Sequence, residues 1–195
     1  MEKFSRKEKI ALVVFGVILL AIIIQMIWRL GEFSGPAEEG IAIKNTDIER
    51  SDNLLRLPGI AVDISSRNNK SQTPSKLFDN NPASFWHVAL DLVGEPAWVK
   101  ADFGEGNEKA IRSLAALPRA DIPRQFFRKV ELFGSDNGED WKLVSEIIQG
   151  ERPSIATWRT WTFDNDRAYQ YYQFLIIDGH EGGKFYSMAE LAFFE

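Results

Sequence analysis

The residues able to do chemistry in this chain are rings, carboxylates and arginines rather than thiols or clustered imidazoles. Trp86, Trp98, Trp141, Trp158 and Trp161 offer flat apolar faces of the kind that stack on the C–H face of a hexose, while charged or amide side chains fix its hydroxyls. The same rings can instead fill a core. Arg119, in Leu117-Pro118-Arg119-Ala120-Asp121, falls in a loop after a strand. It either meets a ligand, with Asp121 and His87 flanking it and Phe185 or Tyr186 stacking from a late loop, or forms a surface ion pair with Asp121 of little energetic value. Asp136, Glu139 and Asp140 are close carboxylates in a hairpin turn. A general acid–base pair needs a cleft and shifted pKa values, and nothing around these three suggests either. No Gly-x-Ser-x-Gly nucleophile motif is present. The glycine-rich Asp178–Gly183 stretch lacks the Lys-Ser/Thr ending of a phosphate loop and opens no helix, so it reads as a plain, flexible loop. The chain is therefore read as non-catalytic.

Bulk numbers narrow the partners. There is no Cys among the 195 residues, which excludes disulfides, Cys-based metal sites and a thiol nucleophile. Two His residues make a multi-histidine zinc site improbable. A net charge of -5 without a basic patch argues against nucleic acid.

The elements that must position these groups are strands. Short runs rich in Val, Ile, Phe, Tyr and Trp alternate with turn residues. They predict strands at 60–64, 97–102, 111–117, 129–134, 141–147, 157–163, 171–178 and 189–194. Ser135-Asp136-Asn137-Gly138 is a strong turn, because Asn-Gly accepts positive φ cheaply. The spacing predicts an all-β antiparallel sandwich or jelly roll, with one helical turn at Pro74–Leu77.

The N-terminus has a different character. From Ile10 to Trp28 no side chain carries a charge. The run is long enough to span a bilayer, longer than a signal-peptide core, and ends without an Ala-x-Ala pattern. Lys3, Arg6, Lys7 and Lys9 precede it, and Arg29 and then Glu32, Glu38 and Glu39 follow. That bias keeps the N-terminus cytoplasmic. The expected organisation is a basic cytoplasmic segment at 1–9, a transmembrane helix at 10–30 in contact with membrane lipid, a Gly/Pro-rich linker at 31–52 and a β domain at 53–195.

Six stretches of the β region, in order, resemble the discoidin domain (coagulation factor V/VIII C-type, galactose-binding-like). They are Ser75 with Asp79-Asn80-Asn81, Ser84 and Trp86; Trp98 with Asp102-Phe103-Gly104; Leu117-Pro118-Arg119; Ser135 to Trp141; Tyr171-Tyr172-Gln173-Phe174; and Ala189-Glu190-Leu191. Asn80, Phe103 and Gln173 depart from the family's usual Gly, Leu and Arg. The resemblance implies a discoidin-like jelly-roll β-sandwich. It also implies buried positions for Trp86, Trp98 and Trp141, a ligand role for Arg119, and a structural calcium ion at Asp79, Asn81, Ser84 and Glu190. All four are oxygen donors, which suits a hard cation. The alternative for that loop is a hydrogen-bonded Asx-type turn closed by Glu190 without metal. The missing family cysteines favour a bacterial type. The functional expectation is a non-catalytic binding module on the outer face of a bacterial inner membrane, periplasmic or extracellular, recognising glycan or another envelope component. The alternative is a structural accessory subunit whose helix and sandwich dock on membrane protein subunits.

Overall fold

The computed structural model describes residues 52–89, 96–182 and 185–195. The expected cytoplasmic segment, transmembrane helix and linker lie outside these residues, apart from Asp52. Among the described residues no helix is long and apolar enough to cross a membrane.

Ten strands carry the domain: β1 (Ala61–Ile64), β2 (Trp86–His87), β3 (Ala97–Asp102), β4 (Ser113–Leu117), β5 (Phe127–Ser135), β6 (Lys142–Ile148), β7 (Arg159–Thr162), β8 (Tyr171–Gly179), β9 (Ser187–Met188) and β10 (Glu190–Phe194). They form a five-stranded sheet in the order β1-β3-β8-β5-β6, a three-stranded sheet β10-β4-β7 and a small β2-β9 pair. Every pairing is antiparallel. The described part is thus an all-β sandwich, with 3-10 turns at Leu54–Arg56 and Pro74–Leu77 as its only helical elements.

Period-two alternation explains the layers. In β3 Ala97, Val99 and Ala101 are buried, while Trp98, Lys100 and Asp102 face outward. In β8 Tyr172, Phe174 and Ile176 turn inward between outward-facing neighbours. From the other sheet Leu114, Leu191 and Phe193 meet them in one core. Phe127 joins the layers, its ring 5.4 Å from both Phe174 and Trp161. Burying such rings and branched side chains is the main stabilising term, at about 25 cal/mol per Å² of apolar surface.

All eight expected strands are present, with ends shifted by up to two residues. The two missed strands, β2 and β9, have two residues each, too short to carry a periodic signal. Asn53 fastens the start of the domain to its last strand. Its side-chain amide donates to the Leu191 carbonyl at 3.0 Å and its Oδ1 accepts from the Phe193 N–H at 3.1 Å.

Candidate functional site

The loop between Pro74–Leu77 and β2 is organised around Asp79. Its carboxylate accepts from the Asn81 N–H at 3.0 Å, the Ser84 hydroxyl at 2.9 and 2.8 Å, and the Lys76 ammonium at 3.0 Å. Asn80 takes a left-handed conformation at φ 59, one that Asn tolerates better than most residues. This is how the chain accepts Asn where the resembled family has Gly. The Asn81 carbonyl accepts from the Ser84 N–H at 2.9 Å, whereas its side-chain oxygen accepts from the Ala83 N–H at 3.1 Å.

Glu190, opening β10, closes this loop. It is 4% exposed, and its Oε1 has no hydrogen-bond partner. Burial pushes its carboxyl up to about 7, and the Asp79 charge adds to the shift, against the Asn81 and Asn80 N–H groups. For Asp79, burial opposes ionisation, but the Ser84 hydroxyl, Lys76 and the Asn81 N–H together hold the carboxyl below its ordinary value. The structure thus brings Asp79, Asn81, Ser84 and Glu190 together.

Of these two facing carboxylates, Glu190 has an orphaned buried oxygen and no cation partner, since Lys76 reaches Asp79 alone. Oxygen donors of this kind fit a hard divalent cation such as calcium. Asp79, Glu190, the Ser84 hydroxyl and an Asn81 oxygen would hold it; both Asn81 oxygens already accept hydrogen bonds, the carbonyl from Ser84 and the side-chain oxygen from the Ala83 N–H. Bound there, it would neutralise the pair and fix the loop to β10. Among the described residues no three His, Asp or Glu gather as a metal cluster; this loop has only two such residues.

The second cluster adjoins the first through the chain, because Phe85 follows Ser84. The Arg119 guanidinium lies 3.6 Å from the centroid of the Phe85 ring. It makes a two-bond pair with Asp121, Nε to Oδ1 at 2.6 Å and Nη2 to Oδ2 at 2.5 Å, and a longer bond to Gln125 Oε1 at 3.4 Å. This pair is not the freely solvated one of the bland expectation: the Arg119 side chain is 10% exposed and Asp121 59%. Arg119 in turn holds the Asp121 carboxyl below its ordinary value.

His87, buried on β2 and paired with Ser187, adds an imidazole. Its Nδ1 lies 2.5 Å from the Val88 carbonyl, so in the neutral ring Nδ1 carries the proton and Nε2 has the lone pair, with the Gln125 side chain also within hydrogen-bond reach of the ring. Burial lowers its pKa, and the Arg119 charge adds to this against the Val88 carbonyl and Gln125. Phe185 tilts toward it with ring centroids 6.3 Å apart. Arg119, Asp121 and His87 are therefore neighbours.

Tyr186 takes a different place. Its ring is 3% exposed and lies against Gly179, where an added Cβ would come within 2.7 Å of Tyr186 Cε1. Alternation along the chain turns Tyr186 inward and leaves Phe185 beside His87. Phe85 and Gln125 were not singled out from the sequence. Phe85 stood in the segment that carried the resemblance, whereas nothing local marked Gln125.

The other candidates resolve into structure. Trp86 is fully buried, with its indole N–H donating to the Ser66 carbonyl at 2.7 Å. Trp98 and Trp141 correct the expectation of burial: they are half-buried and flank the Lys100 ammonium at 4.7 and 5.1 Å. Within this glycine-rich stretch the described residues Asp178–Gly182 are tied by ion pairs, Arg128 with Asp178 and both Arg124 and Arg152 with Glu181. Asp136 pairs with Arg167, and Asp140 accepts from Asn137, which makes the acidic turn structural.

The loops of this sandwich thus gather an arginine over a ring, an imidazole, an amide and a second ring. The model of the F5/8 type C domain matches residues 61–191, and the chain belongs to this family, whose domains are non-catalytic binding modules. Similar solved structures include CpGH89CBM32-5 from Clostridium perfringens in complex with GalNAc-beta-1,3-galactose, at 21% identity and TM-score 0.59, covering 70% of this chain and 95% of that one. The family 32 carbohydrate-binding module of C. perfringens NanJ, in complex with galactose, has 25% identity and TM-score 0.56 over 70% of this chain and 93% of its own. Other similar structures are parts of enzymes, such as a Ruminococcus gnavus fucosidase of which the match covers 26%. No curated protein matches the chain.

Proposed function

We propose that this chain is a non-catalytic glycan-binding module, held at the outer face of a bacterial inner membrane by residues 10–30 and lifted from it by the linker at 31–52. The observation that carries the glycan reading is the Arg119 cluster. Arg119 and Gln125 supply donors, Asp121 and His87 Nε2 supply acceptors, and Phe85 and Phe185 supply ring faces. Alternating donors and acceptors beside aromatic faces match the hydroxyls and the C–H face of a pyranose. The galactose complex of the NanJ module supports the same ligand class. Calcium at Asp79, Ser84 and Glu190 serves this site indirectly, by fixing the loop that presents Phe85 and His87.

The test is a glycan array followed by titration of each hit with the wild type and Arg119→Ala. Retained fold with lost binding is the expected result; undiminished binding by the folded variant overturns the site. Extraction of the full chain from its native membrane in mild detergent tests the anchor and the alternative. Stoichiometric membrane proteins co-purifying with it would make it an accessory subunit instead. Recovery in the soluble fraction would remove the anchor.

A further inference from the structure

The outer face of the five-stranded sheet carries a second set of groups, at the opposite end from Arg119. Gln125 lies just before β5 and the Asp136–Gly138 turn just after it. The nine residues between span roughly 30 Å at about 3.3 Å each. At the far end a depression of about 280 Å³ is lined by Asp63, Lys100, Asp102, Gly138, Trp141 and Tyr171, among others. Strand register builds it: Asp63 stands opposite Lys100, and Asp102 opposite Tyr171. Gly138, at φ 75, takes a left-handed conformation that other residues adopt only under strain, and it packs beside the Tyr171 ring, which an added Cβ would meet in ordinary contact at 3.7 Å.

Its polar groups are held in place and only partly used. Asp102 Oδ1 accepts from the Gly104 N–H at 2.8 Å and from Gln170 at 2.9 Å, and Asp63 Oδ1 accepts from the Ile64 N–H at 2.8 Å. Among the described residues neither Oδ2 accepts a hydrogen bond and Lys100 joins no ion pair. Trp98 and Trp141 fix the ammonium from two sides instead, an arrangement that is itself stabilising.

We infer that this depression is a second pyranose-binding site, independent of the Arg119 cluster and selective for neutral sugars. Trp141 and Tyr171 supply the ring faces, Asp63 and Asp102 accept from hydroxyls, and Lys100 donates. Two carboxylates against one ammonium disfavour an acidic sugar. A purely apolar ligand would leave all three groups desolvated without partners. With the Arg119 cluster, the module would grip a long glycan at two points, and linked sites gain avidity without any new contact.

The test follows the tryptophan indole N–H resonances of the full chain by NMR during titration with galactose, N-acetylgalactosamine or glucose. Trp141→Phe assigns the reporting signal. A saturable shift of the Trp141 signal, retained in Arg119→Ala and weakened roughly three- to tenfold in Tyr171→Ala, is expected. Asp63→Asn, which keeps the shape of the depression, should weaken it as well. A Trp141 signal unmoved by all three sugars overturns the second site, whatever the glycan titrations of Arg119→Ala show. A response at Trp141 alone supports it and counts against the Arg119 reading.

Discussion

The guanidinium of Arg119 sits over the ring of Phe85, 3.6 Å from its centroid, while Asp121 grips its edge through two hydrogen bonds. One contact fixes the plane and the other the rotation about it. Lysine, a point charge on a flexible stem, satisfies neither. Arg119→Lys is therefore expected to weaken glycan binding nearly as much as Arg119→Ala, by roughly 10–100-fold for a charged hydrogen bond. Phe85→Leu should lose a large part of the same affinity. Titration calorimetry with an array hit reads both, and wild-type affinity in either variant would refute the geometry.

His87 sets the acid limit of that binding. Its lowered pKa, caused first by burial and then by Arg119, leaves it neutral at pH 7. Protonation removes the Nε2 acceptor and places a second cation beside Arg119. Because the folded value lies below the unfolded one, the protonated form is disfavoured in the fold. Stability is therefore complete above the unfolded value near 6.5 and declines as pH falls. Affinity should fall over the same acid range, and His87→Gln should flatten its pH profile.

Glu190 acts in the opposite direction. Its folded pKa of about 7 lies above the ordinary 4.5, so between these values the folded state binds more protons than the unfolded one. In chelator, stability should decrease as pH rises through that window. Each tenfold change in proton affinity is worth about 1.4 kcal/mol. Calcium should reverse the slope and raise the melting temperature at pH 7, while Glu190→Gln should abolish both effects. Identical melting curves with calcium and with chelator would exclude the cation.

Gly134 is required for want of space. A Cβ there would lie 2.3 Å from Tyr169 Cδ2, and Tyr169 in turn packs edge-on to Tyr172 at 5.8 Å. Gly134→Ala should destabilise the domain by about 1–3 kcal/mol, read by denaturant unfolding. Unchanged stability would mean that Tyr169 can move aside.

Asn53 ties the two ends of the domain together. Its Ala variant leaves the Phe193 N–H and the Leu191 carbonyl without their partner and should cost about 1–3 kcal/mol. The same experiment on a chain beginning after Asn53 should give at least that loss.

The sequence by itself determined the all-β class, eight of the strands, the asparagine-glycine turn and the family. These are properties of local alternation and of motif order along the chain. It also brought Arg119, Asp121 and His87 onto one list, as it did the four oxygen-bearing residues around Asp79. Tertiary structure alone decided which way neighbouring residues face and what lies across from them. Tyr186 or Phe185, one residue apart, could each have faced the site; the close approach of Gly179 settled it. Trp98 and Trp141 look like core residues in sequence, yet strand parity turns Trp98 outward on β3 and both rings lie against Lys100. Gln125 joins Arg119 only because the chain after β4 folds back before β5. Such facts rest on contacts between residues distant in the chain, and no local pattern encodes them.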